Sequence, residues 1–120
     1  MDYKDLRVWQ NARILVTEVY WLCDYLPEIE KYGLESQMRR AVTSITLNIA
    51  EGMGRGTWKE ELHFLHMARG SANEVETQLI HCRDVGYFPP QSIDPVINRC
   101  TEVRRQLNSL IGAIAGKWGR

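Results

Sequence analysis

The sequence lacks an excess of charge of either sign: fifteen Lys and Arg balance fifteen Asp and Glu over 120 residues. Net charge therefore gives no indication of a nucleic-acid or membrane-surface partner. It also lacks any run near the roughly 18–20 apolar residues that cross a bilayer, so no membrane partner is expected. Residues 1–10 mix charged with apolar side chains and do not form the apolar stretch of a secretory leader. Cysteine is sparse. Cys23, Cys82 and Cys100 are odd in number and show no C-x-x-C spacing, which argues against a disulfide framework or a zinc site. Each falls at an apolar position of a helical repeat, so they read as small reduced core residues of a cytoplasmic protein. No paired carboxylates, Ser-His-Asp set or Cys-His pair shares a helix face. A non-enzymatic protein without catalytic residues, metal or cofactor is expected.

What the sequence does contain is apolar residues recurring at intervals of three and four along four segments. The first helix, over about residues 8–25, carries Trp9, Ala12, Val16, Val19, Cys23 and Leu26, widened by Leu15 and Leu22, and ends before Pro27. The second, over 34–51, carries Leu34, Met38, Ala41, Ile45 and Ile49 with Val42 beside them, and Gly52 is expected to follow as a left-handed cap. The third, over 58–85, opens on the capping box Thr57-x-x-Glu60 and carries Leu65, Ala68, Ala72, Val75, Leu79 and Cys82 up to Gly86. Pro89-Pro90 is expected to block its continuation. The fourth, over 93–115, begins near Ser92 or Asp94 with Pro95 in its first turn, and carries Ile93, Val96, Cys100, Val103, Leu107, Leu110 and Ile114. Nothing reads as a strand. One all-α domain over residues 1–120 is expected, an antiparallel up-down-up-down four-helix bundle.

The outward faces hold the candidate functional residues. Ile14, Trp21 and Tyr25 lie behind the core stripe of the first helix, and Leu47 behind that of the second. Such residues suggest a subunit interface, the alternative being that Trp21 and Tyr25 fold onto the link over residues 27–32. Arg39 and Arg40, with Arg99, Arg104 and Arg105, form the densest basic clusters. They suit either phosphate contact or salt bridges to Glu51, Glu74 or Glu76. Arg55 and Lys59 flank the amide-rich start of the third helix, where an anion would find a positive dipole and Trp58 would stack on a base or cover the bundle end. The run from Gly52 to Gly56 lacks GxGxxG spacing and a Walker lysine, and reads as a helix–helix loop. His63, His66 and His81 face outward. Glu60-x-x-His63 is half of a di-iron motif whose other half is missing. Asn48 sits at the edge of the core stripe and would fix helix register, while Glu51 and Arg55 would clasp the loop.

Several segments carry a family resemblance. Asp5-Leu6-Arg7-Val8-Trp9-Gln10-x-Ala12 opens the chain. Tyr32-Gly33-Leu34 and Ser36-Gln37-x-Arg39-Arg40-Ala41 follow, then Asn48-Ile49-Ala50-Glu51-Gly52 with Gly54-Arg55. Glu61-x-x-Phe64-Leu65-x-x-Ala68-x-Gly70-Ser71-Ala72-x-Glu74 and Gly86-Tyr87 complete the series. In this order the residues resemble the 23S rRNA-intervening sequence proteins, the S23-like four-helix bundle family. The resemblance implies a cytoplasmic bacterial bundle without enzymatic activity that assembles into a homopentameric ring. Relatives that serve as accessory proteins of diversity-generating retroelements bind RNA and a reverse transcriptase. An association with RNA or a ribonucleoprotein is thus implied, through Arg39, Arg40, Arg55, Lys59, Arg99, Arg104 and Arg105. The alternative is a protein-binding oligomeric scaffold with no nucleic-acid role.

Overall fold

The computed structural model describes residues 2–118. Four helices follow one another: α1 (Arg7–Cys23), α2 (Leu34–Met53), α3 (Trp58–Asp84) and α4 (Pro90–Trp118). Short 3₁₀ turns occupy Tyr3–Asp5 and Glu28–Glu30, and the described residues contain no strand. Each helix packs on its chain neighbours, α4 closes against α1, and the diagonal pairs stand apart across the core. Because the links are short, each helix must run back along the one before it. The result is an up-down-up-down bundle measuring 47 by 24 by 22 Å. Its long dimension follows α4, whose 29 residues rise about 43 Å at 1.5 Å each.

The core stripes explain which face of each helix turns inward, with three departures from the sequence pattern. On α1 the buried residues are Val8, Ala12, Leu15, Val19, Leu22 and Cys23, while Trp9 and Val16 flank them at partial burial. Leu15 and Leu22 therefore lie at the centre of the stripe rather than at its margin. A helix set between two neighbours buries the whole arc that faces both. On α3 the polar Gln78 joins the expected apolar residues in the interior. On α4 the stripe passes from Leu107 to Ile111, leaving Leu110 and Ile114 half-buried. A straight helix drifts about 20° per heptad from a seven-residue repeat, which brings Ile111 inward.

All three thiols are free and buried. Cys82 Sγ donates to Met38 Sδ at 3.8 Å and Cys100 Sγ to the Ala72 carbonyl at 3.3 Å. Burial pushes Cys23 and Cys82 up to about 11 and Cys100 up to about 12.

The helix ends show which punctuation the chain uses. Thr57 Oγ1 accepts the Glu60 amide at 3.2 Å, and its hydroxyl donates to Glu60 Oε1 at 3.3 Å. At the end of α3 the Gly86 amide reaches Arg83 O and the Tyr87 amide reaches Cys82 O, with Gly86 at φ +81°. This is a Schellman closure, which needs the left-handed residue that glycine supplies. Gly52 behaves otherwise than expected. It lies inside α2, which continues to Met53 and is capped by Gly54 at φ −89°. A Cβ on Gly52 would stand 3.0 Å from Phe64 Cβ and 3.3 Å from the Glu61 carbonyl. The glycine serves close helix approach, not a turn. α3 ends at Asp84, ahead of the prolines, and α4 starts before Ser92: Pro90 is its first residue and Pro95 lies inside it. A proline at the first helical position loses no hydrogen bond and brings a preset φ, so the helix starts earlier than expected and Pro95 falls beyond the first turn.

Gly52→Ala should lower the unfolding free energy in urea by about 1–3 kcal/mol, overpacking outweighing the better helix propensity of alanine. Gly112→Ala, where nothing lies within 4 Å, should raise it by about 0.5–1 kcal/mol. Because the folded thiols hold protons that the unfolded chain releases above its ordinary value of 9.0, their contribution to stability is complete below about pH 9. It is lost as pH rises through 11 and 12. A series of urea midpoints against pH checks the direction.

Candidate nucleic-acid interface

Among the seven basic candidates, four are engaged by the bundle itself. Arg39 Nη2 donates to Asp24 Oδ1 at 3.0 Å and its Nε to Glu35 Oε2 at 3.2 Å, while the guanidinium lies 4.8 Å from the Tyr20 ring. Burial works against its charge, but the hydrogen bonds to Asp24 and Glu35 outweigh it and raise its pKa. Arg55 pairs with Glu51 at 2.7 Å and Glu60 at 3.7 Å and rests over Phe64, which makes the loop clasp expected of Glu51 and Arg55. Arg99 donates to Glu18 Oε1 at 2.6 Å and to Asn11 Oδ1 at 2.7 Å, joining α4 to α1. Arg104 lies 3.5 Å from Glu76 Oε2, which also accepts the Thr101 hydroxyl at 2.7 Å.

Arg40, Lys59 and Arg105 make no ion pair among the described residues. They do not form one patch. Arg40 lies in the first half of α2, Lys59 starts α3 at the opposite end, and Arg105 is on α4, diagonal to α2. The sequence pattern does not single out Arg7, which shares a notch of about 440 Å³ with Arg105, Glu102, Gln106 and Ser109 between α1 and α4. The start of α3 is supplied from within: Thr57 caps it, and Glu60 and Glu61 occupy its first turn. Trp58 is half-buried beside Lys59, at the edge of a hollow of about 510 Å³. Glu60 serves the cap and Arg55, and exposed His63 meets Phe64 edge-on at 5.2 Å. His66 and Arg69 are in hydrogen-bond contact at 2.7 Å.

The apolar candidates are exposed. Along the outside of α1, Ile14, Trp21 (54%) and Tyr25 (65%) face solvent, and the last two rings lean together with centroids 5.0 Å apart. Leu47 is 67% exposed, yet lies apart from this strip, on the outer side of α2. The hydrogen bond from Ser71 Oγ to Ser44 Oγ at 2.9 Å sets the α2–α3 register. About one turn further along their helices from these serines, Leu47 and Met67 are exposed. Asn48 acts through this link: its Nδ2 donates to Ser44 O at 2.8 Å and Ser44 Oγ at 2.9 Å. The bond that crosses between helices belongs to the serines.

On the other side of the serine bond the α2–α3 seam opens into a trough. Two hollows of about 590 and 460 Å³ share Gln37 and Glu74. The first also reaches Arg40, Ala41, Ser44 and Ser71, and the second reaches Gln78 and His81. Gln78 is only 7% exposed, and its Oε1 is buried without a hydrogen-bond partner. The side chains of Gln37, Arg40, Glu74 and His81 are likewise unpaired among the described residues. The one signal of this trough in the sequence is a glutamine at a stripe position between Val75 and Leu79.

Comparison with known proteins bears on identity. The family described as 23S rRNA-intervening sequence protein matches residues 4–109. A solved structure from Bacteroides thetaiotaomicron, a protein of unknown function from the S23 ribosomal protein family, superposes with a TM-score of 0.81 at 25% identity. The match covers 87% of this chain and 97% of that one. A search of the curated proteins found no match. The chain belongs to the 23S rRNA-intervening sequence protein family. No helix among the described residues is long and apolar enough to cross a membrane.

The two kinds of arginine should separate in stability. Arg99→Met should lower the unfolding free energy by about 1–2 kcal/mol, leaving Glu18 and Asn11 without their donor. Arg105→Met should stay within about 0.5 kcal/mol of the parent protein. Urea denaturation of both variants makes the comparison.

Proposed function

We propose that this member of the family is a non-enzymatic, self-assembling scaffold of the cytoplasm that holds RNA or a ribonucleoprotein on its assembled surface. The observation that carries the reading is the strip of Ile14, Trp21 and Tyr25 on the outside of α1, where two large rings stand in water. Large apolar side chains exposed along one helix face are what a subunit contact removes from solvent. The homopentameric ring implied by the resemblance is the expected form of the assembly. Three buried, protonated thiols fit a reducing compartment.

Assembly also accounts for a nucleic-acid role in a neutral chain. The described cations without an ion pair, Arg7, Arg40, Lys59 and Arg105 among them, are spread over the bundle, and the notch holding Arg7 and Arg105 also contains Glu102. One such notch would hold an RNA backbone weakly. Copies in one assembly repeat it, and joined weak contacts give a much stronger whole. The second reading, a protein-binding scaffold with no nucleic-acid role, draws support from the internal pairing of Arg39, Arg55, Arg99 and Arg104.

Trp21→Ala and Tyr25→Ala should each lower the assembled mass in light scattering; an unchanged mass would remove these residues from the interface. Binding of a single-stranded RNA, followed by fluorescence anisotropy, should weaken as salt is added. Where Arg105→Ala takes one cation away from the RNA backbone, the log–log slope should shrink by about 0.7–0.9. Affinity indifferent to salt, or no binding at low salt, would leave the protein scaffold as the reading.

A further inference from the structure

We infer that the outer face of α1 of one copy seats in the α2–α3 seam of a second copy, a head-to-tail contact that rests on the self-assembly proposed above and names its two surfaces. The bundle leaves two faces without partners, and they are unlike. On the outside of α1, Ile14, Trp21 and Tyr25 are exposed, with Arg13 on the flank. This face offers apolar bulk together with donors: an indole N–H, a phenol O–H and a guanidinium.

The α2–α3 seam offers the converse. The other three seams carry ion pairs across the gap, Arg39 with Asp24, Arg99 with Glu18 and Arg104 with Glu76, although Arg104 Nε is also buried without a partner. The α2–α3 seam closes its two serines and the Cys82–Met38 sulfur contact, has no ion pair among the described residues, and leaves Gln78 Oε1 buried without a donor. Glu74 beside it has no cation among the described residues. A buried acceptor without a donor destabilises the isolated chain, and a contact that brings a donor relieves it. Ala41, Ser44 and Ser71 line the trough with small side chains, leaving room for a ring. Leu47 and Met67 provide exposed apolar ground beyond it.

Arg13 to Cys23, where α1 ends, spans about 15 Å of helix, short enough to lie along the roughly 20 Å from Leu34 to Leu47. A symmetric contact of α1 on α1 would leave the α2–α3 seam uncovered and Gln78 still unsatisfied. A head-to-tail arrangement uses both faces, and such a contact repeats from copy to copy until it closes on itself.

Two variants at exposed positions test the pairing. Trp21→Glu blocks the α1 face and leaves the seam intact. The double change Leu47→Arg with Glu74→Arg blocks the seam and leaves α1 intact. Each alone should be monomeric by light scattering, while an equal mixture should give a species of two chains and nothing larger. A seam variant that assembles like the parent protein would remove the seam from the interface while self-assembly stands. Two monomeric variants that stay monomeric when mixed would show that the two faces do not meet. A parent protein that is itself monomeric would overturn the assembly and this contact together.

Discussion

The close approach of α2 and α3 is the constraint from which much of the molecule follows. It is possible because Gly52 has no side chain where Phe64 and the Glu61 backbone pass, and because Ala41, Ser44 and Ser71 are small along the seam between the helices. Helices held this near share a seam of small residues, and small residues fill little space outside the contact itself. The trough above Ser44 and Ser71 is the outward side of that geometry. The same residues that let the helices touch leave a hollow that the bundle does not fill.

Much of the fold is legible because heptad spacing is a local property of the chain. Ile93, Val96, Cys100, Val103 and Leu107 can be read without knowing what they face, and Thr57-x-x-Glu60 marks a helix start by its own chemistry. The features that differ from expectation are those that depend on a neighbour. Gly52 resembles a terminus until Phe64 is placed beside it, and Ile111 replaces Leu110 only because a straight helix rotates away from a seven-residue repeat. The start of α4 reads as Ser92 or Asp94 because Pro90 is more visible as a stop to α3 than as a first helical residue.

The candidate site is less legible, for the same reason on a larger scale. Whether an arginine is available to a ligand depends on which carboxylate the fold places near it. Arg99 meets Glu18 from 81 positions away, and Arg104 meets Glu76 across the α3–α4 seam. Adjacent residues in the chain end differently: Arg104 is held while Arg105 is not, and Arg39 is held while Arg40 is not. Clusters of basic residues along a helix thus divide by face, one directed into a seam and one into solvent. Equal numbers of acids and bases over the whole chain conceal this division.

The sealed sulfurs have a consequence for handling the molecule. With Cys23, Cys82 and Cys100 shut inside and held protonated near neutrality, maleimides and other thiol-directed reagents find almost no thiolate on the folded chain. A single cysteine introduced at an exposed site such as Asn98 would therefore carry a dye or spin label against a silent background, with every native sulfur left in place.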